Sequence, residues 1–267
     1  MTPSKTSSAK KAAVAKAPEL HIVVPVYNEA ANFPAFHASL EQHVRTPFDL
    51  FVIYDRDEDT TLPVARELAK TDPRIKLVKN TGKGILGALK TGLKHPRSGA
   101  VLVTMADLSD DHRQVDEMFA LYQQGAEVVA ASRYSRGGGQ KGGPPVKKVL
   151  SRIAGMSLRV VAGISTWDAT NNFKLYAADF LQDVEVESQG GFEVALELTV
   201  KAHQRGARIA EVPTMWTDRV AGESNFKLVK WLPRYLHWYA SAMKTRLGEL
   251  RGRARPSYSP RNRPGSR

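Results

Sequence analysis

The chain predicts an α/β protein built on a mostly parallel sheet, and three observations carry that expectation. Short apolar, β-branched runs alternate with amphipathic stretches through the first half of the chain, the pattern of strands covered on both faces by helices. Several runs break abruptly into carboxylates or amides, most clearly residues 101–111 (VLVTMADLSDD), as expected where strands deliver ligand-binding groups to the carboxyl edge of an open sheet. A length of 267 residues, 42% of them hydrophobic, suffices for one good-sized core.

Taken in order, residues 19–26 (ELHIVVPV) form the first strand, which ends in Tyr27-Asn28-Glu29. Asn28 is suited to cap a helix over 30–43, and a turn there sets Tyr27 and Glu29 beside a ligand at the sheet edge. The second strand, 48–53, runs into Tyr54-Asp55-Arg56-Asp57-Glu58-Asp59. Its clustered carboxylates repel one another unless a cation, a sugar or the N-terminus of the helix at 62–70 relieves them, and Pro63 suits that helix's first turn. After a third strand at 75–79, Gly82-Lys83-Gly84 and Gly87 open a helix. Such a turn aims amide donors and a positive dipole end at an anion, with Lys83 adding charge, although Gly87 also suits close helix packing. The fourth strand delivers Asp107, while Asp110 and Asp111 read as caps for a helix at 115–122. A strand at 127–131 completes a nucleotide-binding half.

The second half changes character. Residues 137–145 (GGGQKGGPP) are too rich in glycine and proline for regular structure and read as a functional loop. Lys147, Lys148 and Arg152 follow on a helix reaching residue 161, suited to a phosphate-bearing ligand or to a solvated face. Asp168 precedes an expected edge strand as a base, a sugar ligand or a turn residue. A helix at 190–202 closes at Gly206, and a strand at 207–212 leads to a polar loop at 219–225. Residues 226–250 carry a stripe of Trp, Tyr and Leu flanked by Lys and Arg, read as core or as a helix lying in a bilayer interface. Pro233 is expected to divide this stretch into a short helix and a longer one. The resulting organisation is a disordered basic tail (1–18), a catalytic or binding domain (19–226), amphipathic C-terminal helices (227–250) and a disordered Arg-rich tail (251–267).

The net charge of +12 is confined largely to the tails: four lysines in residues 1–18 and six arginines in 251–267, with no acid in either. The domain between is near neutral, which excludes a basic nucleic-acid-binding body and fits tails attracted to anionic lipid or other polyanions. The absence of cysteine removes thiolate nucleophiles, thiolate metal sites and disulfides, and suits a cytoplasmic protein. No apolar run is long enough to span a membrane, so a peripheral place on the inner membrane face is expected.

The ordered set VVPVYNE, an acidic DxxxD-T patch, a Gly-rich turn, an acidic strand end, SRY followed by GGG, DxTxxF-K-x-Y and EVP…R..G.S resembles the family 2 glycosyltransferases. Within them it is most similar to the branch of dolichyl- and polyprenyl-phosphate mannosyltransferases. The resemblance implies a GT-A, Rossmann-like three-layer fold that binds a nucleotide sugar and a divalent cation, Mg²⁺ or Mn²⁺. It places Pro25, Tyr27, Glu29, Asp55 and Asp59 around the nucleotide, with Lys83 and Lys227 also on the donor. Asp107 becomes the metal-binding carboxylate, and Arg133, Lys148 and Ser151 face the acceptor phosphate. Arg219, Ser224 and Lys227 fall in a closing loop over the diphosphate, so that Asp107, Arg133 and Arg219 form the catalytic set. The chain departs from the family where DAD becomes Met105-Ala106-Asp107 and where Lys174 replaces an arginine; methionine offers a hard cation no oxygen.

The implied activity is inverting transfer of a hexose, of the mannose or glucose class, from a nucleoside diphosphate sugar to a lipid phosphate at a membrane surface. Two alternatives stand beside it. A hydroxyl acceptor on a lipid or glycan calls for a base, with Asp168 or Glu193 as candidates. A catalytically altered nucleotide-sugar-binding module would follow if Met105 marks lost catalysis.

Overall fold

Strands β1 (Leu20–Pro25), β2 (Phe48–Tyr54), β3 (Ile75–Lys79) and β4 (Ala100–Val103) run parallel, linked through helices α1 (Phe33–His43), α2 (Thr61–Ala69) and α3 (Gly84–Lys94). Because all four point the same way, their carboxyl ends gather at one edge. The structure, a computed structural model, describes residues 18–143, 145–218 and 228–259, with residues 146, 147 and 228–231 described as backbone only. Helix α4 (Val115–Gln123) leads to β5 (Val128–Ser132), and the seven-stranded sheet has the order β3-β2-β1-β4-β7-β5-β8, with β7 (Lys174–Ala177) and β8 (Ile209–Pro213) in its second half. Its core includes Phe33, Phe36, Phe48, Phe173 and Phe180, all 2% exposed or less.

Several expectations are corrected. Strand β7 is not an edge strand: it lies between β4 and β5, antiparallel to both, with all four residues buried. Its reversal brings the start of the strand, rather than its end, to the carboxyl edge. The glycine-rich stretch is not wholly irregular, since β6 (Gly139–Lys141) pairs in parallel with β9 (Met215–Thr217). Asn28 does not cap α1, which begins after Asn32. A short helix α6 (Ala178–Asp183) follows β7 directly, and α7 (Val194–Gln204) begins later than the sequence pattern implies.

Helix α5 (Pro145–Val160) and helix α8 (Leu228–Leu250) complete the described fold. Pro233 lies inside α8 and does not divide it: near the helix start its missing N–H forfeits only one early hydrogen bond. The stripe of α8 separates into two sets. Trp238 and Ala242 are buried in a second core with Leu158, Ala162, Leu196 and Val200, whereas Leu232, Leu236, Leu247 and Leu250 are exposed. Beyond α8, residues 251–259 fold back. Tyr258 packs edge-on against Phe180 at 6.1 Å, and Gly206, at φ +71°, admits the Pro256 carbonyl where any Cβ would stand 2.3 Å from its oxygen.

Candidate functional site

Each parallel strand ends in a turn whose polar groups are fixed by its neighbours. After β1, Asn28 takes a left-handed conformation (φ 56°) that asparagine tolerates better than most residues. Its amide donates to both oxygens of Asp59 at 3.1 Å, and its side chain accepts from the Thr60 amide at 3.2 Å. Asp59 is thereby buried and engaged in holding the turn that presents Tyr27 and Glu29. After β2, Asp55 accepts from Asn80 Nδ2 at 3.0 Å and from the Gly84 amide at 2.9 Å. One amide at the start of α3 is thus taken by a carboxylate, and Gly87 serves packing: a Cβ there would lie 2.9 Å from the Asn80 side chain.

Beyond β4, Leu108 adopts φ 60°, a conformation costly for a branched apolar residue and characteristic of functional turns. It brings the Ser109 amide and hydroxyl back onto Asp107 Oδ1 at 3.2 and 2.6 Å. Asp111 caps the following 3₁₀ turn, His112–Gln114, by accepting from the Arg113 amide. Asp110 does not cap. It turns back to the strand end, accepting from Thr104 Oγ1 at 2.9 Å and the Met105 amide at 3.2 Å. Burial and the neighbouring charge of Asp107 push its carboxyl up to about 7.

After β5, Arg133 enters a buried ion pair with Asp168. Nε donates to Oδ2 at 2.7 Å and NH2 to Oδ1 at 3.0 Å, with Thr170 also within reach. Asp168 is fully buried, and this guanidinium holds its carboxyl below the usual range. Lys174, at the start of β7, is equally buried and donates to the carbonyls of Asp168, Ala169 and Asn171. Burial pulls its ammonium down to about 7. The Tyr134 ring stacks under Arg133 at 5.1 Å, and its hydroxyl bonds Ser151 of α5. Lys148 reaches the Gln140 carbonyl at 3.3 Å.

Beside these groups a cavity of about 990 Å³ opens along the carboxyl edge. Of the residues expected at the site, Pro25, Tyr27, Glu29, Asp55, Asp107, Arg133, Lys148 and Ser151 line it. Asp59, Lys83, Asp168 and Glu193 do not; Asp168 stands behind the lining as the partner of Arg133, and Asp59 holds the Asn28 amide between the lining residues Tyr27 and Glu29. Glu193 is buried, one oxygen accepting from the amides of Gln189 and Gly190. Arg219, Ser224 and Lys227 lie outside the described residues. Sequence reasoning missed Asp110, Asn171, Trp216 and Tyr235 as lining groups. Asp110 resembled a helix cap, and Tyr235 merged into the aromatic stripe of α8.

The family model for glycosyl transferase family 2 matches residues 21–185, which contain the carboxyl-edge turns of β1, β2 and β4 together with Arg133 and Asp168. This chain belongs to glycosyl transferase family 2. A polyprenol monophosphomannose synthase of Mycolicibacterium smegmatis is 29% identical over 229 residues, 79% of this chain and 85% of the relative. An undecaprenyl-phosphate mannosyltransferase of Micrococcus luteus is 31% identical over 210 residues, 76% of this chain and 85% of the relative. Among solved structures, glucosyl-3-phosphoglycerate synthase of Mycobacterium tuberculosis, in complex with Mn²⁺, UDP and glucosyl-3-phosphoglycerate, superposes with a TM-score of 0.59 at 17% identity, covering 85% of this chain and 79% of that one. A mannosyltransferase of Pyrobaculum calidifontis with GDP-Man and Mn²⁺ gives a TM-score of 0.56 at 17% identity, covering 89% and 75%. The glycosyltransferase therefore has the GT-A fold anticipated from its sequence.

Proposed function

We propose that this family 2 glycosyltransferase transfers a hexose of the mannose or glucose class, with inversion, from a nucleoside diphosphate sugar to a polyprenyl phosphate. The observation that carries the proposal is that one cavity is lined both by carboxylates and by cations. Asp55, Asp107 and Asp110 line it from β2 and β4, while Arg133, Lys148 and Ser151 line it from β5 and α5, with apolar Leu150 and Leu232 beside them. The carboxylates suit a cation-bound diphosphate; the cations, with apolar side chains in the same lining, suit a phosphate on a hydrocarbon chain. The named activities of the two curated relatives support the same acceptor class.

A divalent cation, Mg²⁺ or Mn²⁺, fits the carboxylates of the lining. Asp107 and Asp110 both line the cavity and offer the oxygen ligands that Met105 does not. The cation would supply positive charge to the leaving diphosphate. Arg133, stacked on Tyr134 and braced by Asp168, orients the acceptor together with Lys148 and Ser151, and Arg219 and Lys227, outside the described residues, are the cations the family resemblance sets against the diphosphate. A phosphate acceptor is already an anion, so the reaction needs placement and charge neutralisation rather than a base. This separates the proposal from the hydroxyl-acceptor alternative: Asp168 is committed to Arg133, and neither Asp168 nor Glu193 lines the cavity.

The test is calorimetric titration of GDP, UDP and their hexose conjugates with Mg²⁺ or Mn²⁺ and again with EDTA, followed by transfer of labelled hexose to a prenyl phosphate. We expect one nucleotide series to bind, EDTA to weaken it at least tenfold, and the product to carry the anomer opposite to the donor's. Transfer only to hydroxyl acceptors would overturn the acceptor, and absence of nucleotide binding would overturn the donor.

A further inference from the structure

Asp168 holds two buried cations in different ways. Its carboxylate takes the Arg133 guanidinium at 2.7 and 3.0 Å, so that pair is neutral as a unit. Its backbone carbonyl accepts from Lys174 Nζ at 3.2 Å, and the carbonyls of Ala169 and Asn171 complete a cage around the same nitrogen. Three acceptors match the three N–H donors of an ammonium, whereas a neutral amine has two donors and turns a lone pair on one carbonyl. The charged groups that face Lys174 are the Asp168 carboxylate, Arg133 and Glu211 of β8. Glu211 accepts from Thr166 Oγ1 at 2.9 Å and the Trp167 amide at 2.8 Å, and lies 3.7 Å from Arg159. In the sheet Lys174 sits between Val103 of β4 and Ala130 of β5. With Arg133 matched by Asp168 and Glu211 by Arg159, the Lys174 ammonium is the one charge of this group left uncompensated.

We infer that Lys174 is a positioning residue for the acceptor phosphate: its caged ammonium supplies the net positive charge that the Arg133–Asp168 pair lacks, and acceptor binding is tied to its protonation. The cage belongs to the loop that brings Thr170 and Asn171 to the cavity lining, where Arg133 also stands, while Lys174 itself does not reach the lining. An anion beside Arg133 therefore meets a neutral ion pair backed by a buried cation, and a buried charge is screened little by salt. Burial brings the ammonium to about 7, which gives the coupling a sign. Above that pH the free protein gives up the proton and acceptor binding must take it up again, so affinity falls as pH rises. The lost donor also releases a carbonyl of the loop that fixes Asp168, and through Asp168 the guanidinium of Arg133. The inference rests on the phosphate-acceptor reading of the site.

Geranyl phosphate is titrated calorimetrically into the protein holding Mg²⁺ and the nucleoside diphosphate it binds, between about pH 7 and 8.5, where the phosphate's second ionisation, at about 6, is complete. We expect the wild type to lose about tenfold in acceptor affinity across this range, and to take up a fraction of a proton per acceptor when buffers of different ionisation enthalpy are compared. Lys174→Arg keeps its charge throughout and should bind with an affinity independent of pH and without that uptake. Lys174→Met should bind geranyl phosphate about tenfold more weakly at pH 7 while its nucleoside diphosphate affinity stays within about twofold. A flat wild-type profile, or a sloping one that Lys174→Arg reproduces, overturns the inference and leaves the acceptor class standing. If the nucleoside diphosphate binds but geranyl phosphate does not, the acceptor reading falls and the inference falls with it. Where a variant does not fold, the wild type decides: no proton uptake at pH 8 overturns the inference.

Discussion

Asp107 and Asp168 are both buried carboxylates near the carboxyl edge, but their surroundings give them different work. Asp107 lines the cavity and is held by Ser109, whereas Asp168 faces Arg133 and never reaches the cavity wall. Asp107→Asn should therefore lower kcat by about 10²–10³ and leave the urea midpoint nearly unchanged. Asp168→Ala strands the buried Arg133 guanidinium and should cost about 3–5 kcal/mol in urea unfolding. If Asp168→Ala instead kept full stability but lost turnover, the hydroxyl-acceptor reading with Asp168 as base would return. At this scale the sequence was informative where a polar residue closes an apolar run, as with Tyr27, Asp55 and Asp107, whereas Arg133 was marked by the SRY motif of the family resemblance. It took Asp110 for a cap like Asp111, because adjacent acids before a helix look alike until the left-handed turn at Leu108 decides which of them points back to the strand.

Helix α5 and strand β7 show what elements conceal. The parallel β1-α1-β2-α2-β3-α3-β4 half was legible because each strand is a short run rich in apolar residues and bounded by polar or turn residues. Strand β7 was misplaced at an edge because it begins with a lysine, which ordinarily needs solvent. Three backbone carbonyls receive Lys174 Nζ inside the protein and make an interior position tolerable. The same loop fixes α5: a Cβ on Gly155 would lie 2.1 Å from the Trp167 carbonyl oxygen, so glycine alone permits this approach. Gly155→Ala should push α5 away, costing about 1–3 kcal/mol. Because Lys148 and Ser151 ride on α5, it should also raise the acceptor KM while leaving donor affinity within about twofold. An equal loss of donor and acceptor binding would show that α5 does not act on the acceptor alone.

For the whole molecule, acid stability depends on two groups joined through Thr104, whose hydroxyl lies 2.9 Å from Asp110 Oδ2 and 3.3 Å from His112 Nε2. His112 is buried between Phe36 and Phe173, and burial pulls its imidazole down to about 4 from 6.5. Between those values the unfolded chain binds the extra proton, so this group's contribution to stability rises with pH and is lost as pH falls from 6.5 to 4. Asp110, raised from 3.8 to about 7, acts in the opposite sense: here the folded chain holds the extra proton, and stability is lost as pH rises through that interval. Each shift corresponds to about 3–4 kcal/mol, so the two contributions largely offset in the wild type. Asp110→Asn should gain about 3–4 kcal/mol on the wild type between pH 4 and 7, and His112→Gln should lose a similar amount over the same range, both read from urea unfolding. Saturating Mg²⁺ and donor should shrink the Asp110→Asn difference at pH 7 if the carboxylate pair faces the cation, because bound positive charge stabilises the ionised Asp110 that the free wild type must bury. Variant curves that stay parallel to the wild type across this range would show that neither group is shifted by its surroundings in the folded chain.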